Sequence, residues 1–133
     1  MPAVTVDLLG AAASMEPGEA LQRFIENALG ADPDPALIER ILHHRTANPQ
    51  DPAGWAAQAA AGTTYDGGDR ASQIANPTLA ISGTADNVVD FRNSEVLVDL
   101  ISDSRLHLVE GGGHLVFWEH PYEVAEQMIG FLK

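Results

Sequence analysis

Asn76-Pro-Thr-Leu-Ala-Ile-Ser-Gly-Thr-Ala-Asp86, followed downstream by Leu106-His-Leu-Val-Glu-Gly-Gly-Gly-His114, is the stretch that decides the fold. Residues 78–82 (TLAIS) form a near-continuous apolar run between Pro77 and Gly83. Such a run suits a strand buried on both faces, as in a parallel sheet. It ends in a turn of small residues that carries an acid, Asp86. Residues 106–109 read as a second short strand, and the glycines after it carry His114. Between the two lies a helical pattern over residues 93–101, with Val96, Leu97 and Leu100 on it. Strand, helix, strand predicts parallel pairing through a right-handed crossover, which brings both strand ends to one edge.

Open parallel sheets bind ligands beyond the carboxyl ends of their strands. Asp86 stands at such an end. An acid there can hold an imidazole in one tautomer and stabilise its protonated form. The plainer reading of Asp86 is a turn aspartate bonded to its own backbone. His114 follows three glycines, which let a loop press an imidazole close against other strand ends. Its plainer reading is a surface histidine on a flexible loop. The apolar run Leu115-Val-Phe-Trp118 weighs against that, because such bulk anchors a loop. Asp90 reads as a cap for the helix that begins near Asn93.

The other candidates are weaker. His43 and His44 are adjacent, so on a helix they diverge by about 100° and do not share a metal. His107 alternates with Leu106 and Leu108 and faces away from them on a strand. His120 precedes Pro121 at a helix start. Asp66 and Asp69 flank two glycines without the twelve-residue calcium-loop pattern. No metal and no cofactor is expected. With no cysteine in the chain, a thiol nucleophile and Cys-based zinc sites are excluded. The serines are Ser14, Ser72, Ser82, Ser94, Ser102 and Ser104, and none has glycine at both −2 and +2 as a nucleophile elbow requires.

Working outward, residues 4–10 (VTVDLLG) start with β-branched side chains and predict a buried strand, with residues 11–15 as its exit loop. Three helical patterns follow. Leu21, Phe24, Ile25 and Leu29 recur at helical spacing, with Gly30 as a stop. Asp34-Pro35 supplies an N-cap and a first-turn proline to a helix carrying Leu37, Ile38, Ile41 and Leu42. Asp51-Pro52 repeats the device before an alanine-rich helix, which is expected to pack closely through Trp55. Residues 62–72 break the helical pattern. Pro121 opens a last helix with Val124, Ala125, Met128, Ile129 and Leu132.

Net charge is −12, from 7 basic and 19 acidic residues. That excludes a nucleic-acid surface, which needs clustered Lys and Arg, and a polybasic membrane anchor. No apolar run reaches the roughly 18 residues of a membrane span. The start Met1-Pro-Ala-Val-Thr-Val lacks the basic residues of a secretory signal, so a cytoplasmic protein is the expectation. Hydrophobic residues make up 45% of the chain, enough to build a core.

Residues 74–89 and 106–121 together resemble the C-terminal portion of the α/β-hydrolase superfamily, in its small esterase, enol-lactonase and cofactor-free haloperoxidase-like branch. The resemblance implies an α/β class and a partial α/β-hydrolase fold. It implies a short parallel sheet of about three strands with flanking helices and a helical cap. Residues 1–15 would then be a sheet strand with its exit loop, 16–73 the cap, and 74–133 the core bearing the acid and histidine. Asp86 and His114 match the family's catalytic acid and histidine. Asp90 stands where the family often has proline. The implied activity is hydrolysis of a small-molecule ester or lactone by a Ser-His-Asp triad without a cofactor. The serine elbow is absent from these 133 residues, so the chain is expected to be inactive alone. Two further expectations follow: a complementing N-terminal half, or a non-catalytic assembly module that forms a homo-oligomer through an open sheet edge.

Overall fold

Residues 2–12 and 14–133 are described in a computed structural model. Met1 and Ala13, both inside the segment 1–15 expected to form a strand and loop, lie outside the described residues. The first element overturns that expectation: α1 is a helix, Ala3–Ala12. The β-branched residues suggested a strand, but Pro2 precedes the first turn. The Pro2 carbonyl accepts from the amides of Thr5 and Val6 at 3.2 and 3.3 Å. Thr5, 4% exposed, then finds tertiary partners: its hydroxyl donates to the Asn87 carbonyl and accepts from Asn27 Nδ2, the latter at 2.8 Å. A β-branched residue loses only a few tenths of a kcal/mol in a helix, less than such a buried polar contact supplies.

Helices α2 (Pro17–Ala28), α3 (Pro35–Ala47) and α4 (Pro52–Thr64) follow, each opened by proline. The aspartate caps form as expected: Asp34 accepts from the Ala36 amide at 2.9 Å and Asp51 from the Gly54 amide at 2.7 Å. Two expectations for this region fail. The helical pattern does not break at Gly62, because α4 runs through it to Thr64; a short helix, α5 (Gly68–Ala71), comes after. Nor does α4 pack closely: Trp55 is 44% exposed, and none of the described side chains of α4 is buried. Its small residues offer no apolar ridge to a neighbour.

β1 (Thr78–Gly83), α6 (Arg92–Leu100) and β2 (Ser104–Val109) make the expected crossover. The strands pair in parallel, from Thr78 opposite Ser104 to Gly83 opposite Val109. Among the described residues the sheet therefore has two strands rather than about three, since residues 4–10 are helical. A four-residue helix, α7 (Val116–Glu119), forms from the apolar run after His114, and α8 (Pro121–Phe131) closes the fold.

The core cluster lies between α2 and α3, where Ile25, Leu29, Leu37 and Ile41 are buried, with Leu115 and Trp118 packed against it. Each fully buried side chain of this size stabilises by about 1.5–3 kcal/mol. The chain just after His114 is thus rooted in the same core as the helices. Around the sheet the packing is thinner. Val96, Leu97 and Leu100 on α6 are exposed, as are Met128 and Ile129 on α8. Among the described residues no helix is long and apolar enough to cross a membrane.

Candidate active site

The parallel register sets Gly83 and Val109 side by side at the carboxyl ends of β1 and β2. The turn after β1 and the glycine loop after β2 are then joined backbone to backbone. Thr84 N donates to Val109 O at 3.0 Å and Ala85 N to Gly112 O at 2.9 Å. The Thr84 hydroxyl accepts from the Gly111 amide at 2.8 Å. This closeness requires glycine. A Cβ on Gly83 would sit 2.0 Å from Gly112 O, and Gly111 holds φ at +73°, in the left-handed region.

The two loops bring Asp86 and His114 together, with Asp86 Oδ2 2.9 Å from His114 Nδ1. Asp86 bonds its own turn as well as His114. Its Oδ1 accepts from the amides of Val88 and Val89 at 2.7 and 2.8 Å, as a turn aspartate does. Those two bonds fix the carboxylate plane and leave Oδ2 for the imidazole. A carboxylate only accepts, so Nδ1 of His114 carries the proton, and the neutral ring presents Nε2 as a bare acceptor.

Asp86 is 9% exposed at its side chain and His114 41%. Burial pushes the Asp86 carboxyl up. The His114 hydrogen bond and the Val89 and Val88 amides outweigh that and hold it below its ordinary 3.8. The Asp86 hydrogen bond raises His114 above its ordinary 6.5; burial opposes this and the carboxylate charge adds to it. The pair thus has the electrostatics of an oriented general base: a fixed acid, a defined tautomer and a free Nε2.

The remaining candidates lie elsewhere. His107 Nε2 is 2.8 Å from Glu123 Oε1, which ties β2 to α8. His120 is the N-cap residue of α8. The ring of His44 lies 5.9 Å from that of Trp118. Asp90 accepts from the Arg92 amide at 3.0 Å at the start of α6 and pairs with the Arg92 guanidinium. Among the described residues there is no cluster of three His, Cys, Asp or Glu that would hold a metal. An open hollow of about 590 Å³ is lined by Ala36, Glu39, Arg40, His43 and Trp118, and neither Asp86 nor His114 borders it.

Sequence reasoning included Glu119 in the histidine motif but gave it no role; its carboxylate takes two backbone amides beside His114. Its signal was an acid ending an otherwise apolar run. Nor did it find Thr5 and Asn27, which support the Asp86 turn through the Asn87 carbonyl. Nothing local to those residues announces a partner that far along the chain.

Comparison with known proteins supplies the context. The sequence profile of one family, described as alpha/beta hydrolase fold, matches residues 3–121. The monoacylglycerol lipase ABHD6 of Mus musculus is 35% identical over 60 residues, which is 45% of this chain and 18% of that protein. The structure of Est816, described as an N-acyl homoserine lactone degrading enzyme, superposes with a TM-score of 0.68 at 27% identity. That match covers 92% of this chain and 50% of the other. A bromoperoxidase from Bacillus anthracis superposes with a TM-score of 0.81 over 99% of this chain and 49% of the other; at 22% identity this shows the fold. The chain spans about half the length of these two structures and a smaller share of the lipase.

Proposed function

The chain belongs to the α/β-hydrolase fold family, and from that premise we propose that Asp86 and His114 are the acid and general base of a hydrolase site acting on ester or lactone bonds. The observation that carries this reading is the 2.9 Å contact between Asp86 Oδ2 and His114 Nδ1 at neighbouring strand exits. In the proposed reaction His114 Nε2 takes the proton of a serine hydroxyl as that oxygen attacks the acyl carbon. The same nitrogen then returns the proton to the leaving alkoxide. Water attacks the acyl-serine next and gives its proton to Nε2, which passes it to the serine oxygen as the C–O bond to serine breaks and the acid is released. Asp86 stays ionised throughout and stabilises the imidazolium. The lipase and lactone-degrading likenesses support the substrate class. The helices α2 to α5, within residues 16–73, take the part of a cap that shapes the substrate space.

The nucleophile comes from outside these 133 residues in this reading, because no serine here sits in a Gly-x-Ser-x-Gly elbow. The test is hydrolysis of short p-nitrophenyl esters. The chain alone is expected to be inert. Joined to, or co-expressed with, a strand-and-elbow segment of a family member, it should turn over. His114→Ala should then reduce kcat about 10⁶-fold and Asp86→Asn about 10⁴-fold. Activity in the reconstituted protein that ignores both substitutions would end the proposal.

A second reading has its own support: apolar side chains on α6 and α8 are exposed beside a sheet that has two strands among the described residues. Here the chain is an assembly module that pairs through the open edge of its sheet. Light scattering coupled to size exclusion should then report a dimer or larger. A monodisperse species at 14.1 kDa would exclude it.

A further inference from the structure

The structure assigns Glu119 a positioning role: we infer that its carboxylate sets the place of His114 by tying the histidine loop to the C-terminal end of α2. Both carboxylate oxygens are engaged by backbone. Oε1 accepts from the Gly30 amide at 2.7 Å and Oε2 from the Gly113 amide at 2.8 Å. Gly113 immediately precedes His114, and Gly30 stands just beyond α2. Both glycines are buried, and Glu119 is half-buried between them. A buried amide without a partner is costly, so these two donors need an acceptor that protein, not water, supplies. A single forked acid meets both, with the charge assistance that shortens such bonds.

The surroundings leave the loop little freedom once this staple is closed. Leu115 N donates to Ala28 O at 3.0 Å, on the other side of His114. A Cβ on Gly113 would lie 2.4 Å from Leu29 C and 2.5 Å from Gly30 N, and one on Gly30 would lie 2.1 Å from Gly111 O. The loop therefore rests against the end of α2 backbone to backbone, held at Gly113 by Glu119 and at Leu115 by Ala28. His114 is the residue between those two attachments. Its distance to Asp86 follows from where they hold it. The role deepens the proposed hydrolase reading, since a general base must be placed to within a fraction of an ångström of its acid.

The test uses the full chain and needs no turnover. Wild type, Glu119→Gln, Glu119→Asp and Asp86→Asn are compared by NMR titration of the His114 ring and by hydrogen exchange at the Gly30 and Gly113 amides. In wild type His114 titrates above 6.5. Glu119→Gln keeps the shape but turns one acceptor into a donor. It should move the His114 titration back toward 6.5 and speed exchange at one or both glycine amides by about tenfold or more. Glu119→Asp separates placement from charge, because it keeps the charge and withdraws the reach. It should shift His114 in the same direction. A His114 titration unchanged in Glu119→Gln, with both amides as protected as in wild type, would overturn the inference. So would a titration restored by Glu119→Asp, which would make the effect one of charge alone. Asp86→Asn reads the underlying pair separately. If it leaves His114 unmoved, the catalytic reading fails, and exchange at Gly30 and Gly113 still decides the role of Glu119.

Discussion

Helices α3 and α4 are built from the same local instructions and end up with opposite places in the molecule. Each is 13 residues long, opens with an Asp-Pro pair and forms the aspartate cap. Yet α3 buries Leu37 and Ile41 against Ile25 and Leu29 of the α2 region, and α4 buries none of its described side chains. The difference is the apolar face. In α3, Leu37, Ile38, Ile41 and Leu42 make a stripe that another helix can bury. In α4 the same positions hold Gly54, Trp55, Gln58 and Ala59, and Trp55, the one large apolar residue among them, stays 44% exposed. Caps decide that a helix forms; the apolar stripe decides that it is held. The held part, α2 with α3, supports the loop carrying His114, and α1 reaches the Asp86 turn through Thr5.

The largest effect that tests this contrast is steric. Gly113→Ala places a Cβ against the backbone of Leu29, Gly30 and Ala28, at 2.4 to 2.7 Å, where no side chain can yield. It should cost about 4 kcal/mol or more, among the severe single-site losses. Gly62→Ala in α4 meets nothing within 4 Å and should stabilise slightly, by up to about 1 kcal/mol from helix propensity. Urea unfolding of the two variants reads both signs. If Gly113→Ala proves neutral, the loop is not seated on α2 as described. Next in size is a pair of core deletions. Ile41→Ala, from a side chain 3% exposed, should cost about 3 kcal/mol. Trp55→Ala, a larger truncation, should change stability by no more than about 0.5 kcal/mol. Similar losses in the two would mean that α4 is anchored after all.

What the sequence made legible follows the same division. The β1–α6–β2 crossover, the caps at Asp34 and Asp51 and the meeting of Asp86 with His114 all come from patterns a few residues long, so they could be read directly. Residues 4–10 were misread as a strand because β-branched side chains weigh toward one. What overruled them is Thr5 reaching the Asn87 carbonyl and Asn27, contacts that no local pattern announces. Glu119 escaped for a similar reason: its two amide partners are separated from each other by most of the chain. The exposure of α4 was missed because alanine suits a tightly packed helix and a solvated one equally well.

A smaller effect sharpens the comparison from the caps. Asp34→Ala and Asp51→Ala each remove one cap bond, worth about 1 kcal/mol locally. In α3 that loss should pass into the global unfolding midpoint, because α3 unfolds with the core. In α4 it should surface as faster amide exchange confined to residues 52–64, with the midpoint unmoved, because a helix none of whose described side chains is buried opens by itself. Equal shifts in the midpoint would show α4 to be part of the cooperative unit.

The smallest effect is the pH dependence of the Asp86–His114 pair, since a half-exposed ion pair contributes no more than about 1 kcal/mol. The folded state raises His114 above 6.5, so its contribution is whole below that pH and fades as pH climbs through the raised value. The folded state lowers Asp86 below 3.8, so its contribution is whole above that pH and fades as pH falls through the lowered value. The pair therefore stabilises most between about 3.8 and 6.5. A melting temperature followed upward from pH 6 should decline slightly in wild type and stay level, by comparison, in Asp86→Asn. Exchange in α4, corrected for its intrinsic pH dependence, should not follow the decline, because none of its described side chains is buried. A decline of equal slope in Asp86→Asn would place the titrating group elsewhere and remove the link between the held helices and the site they support.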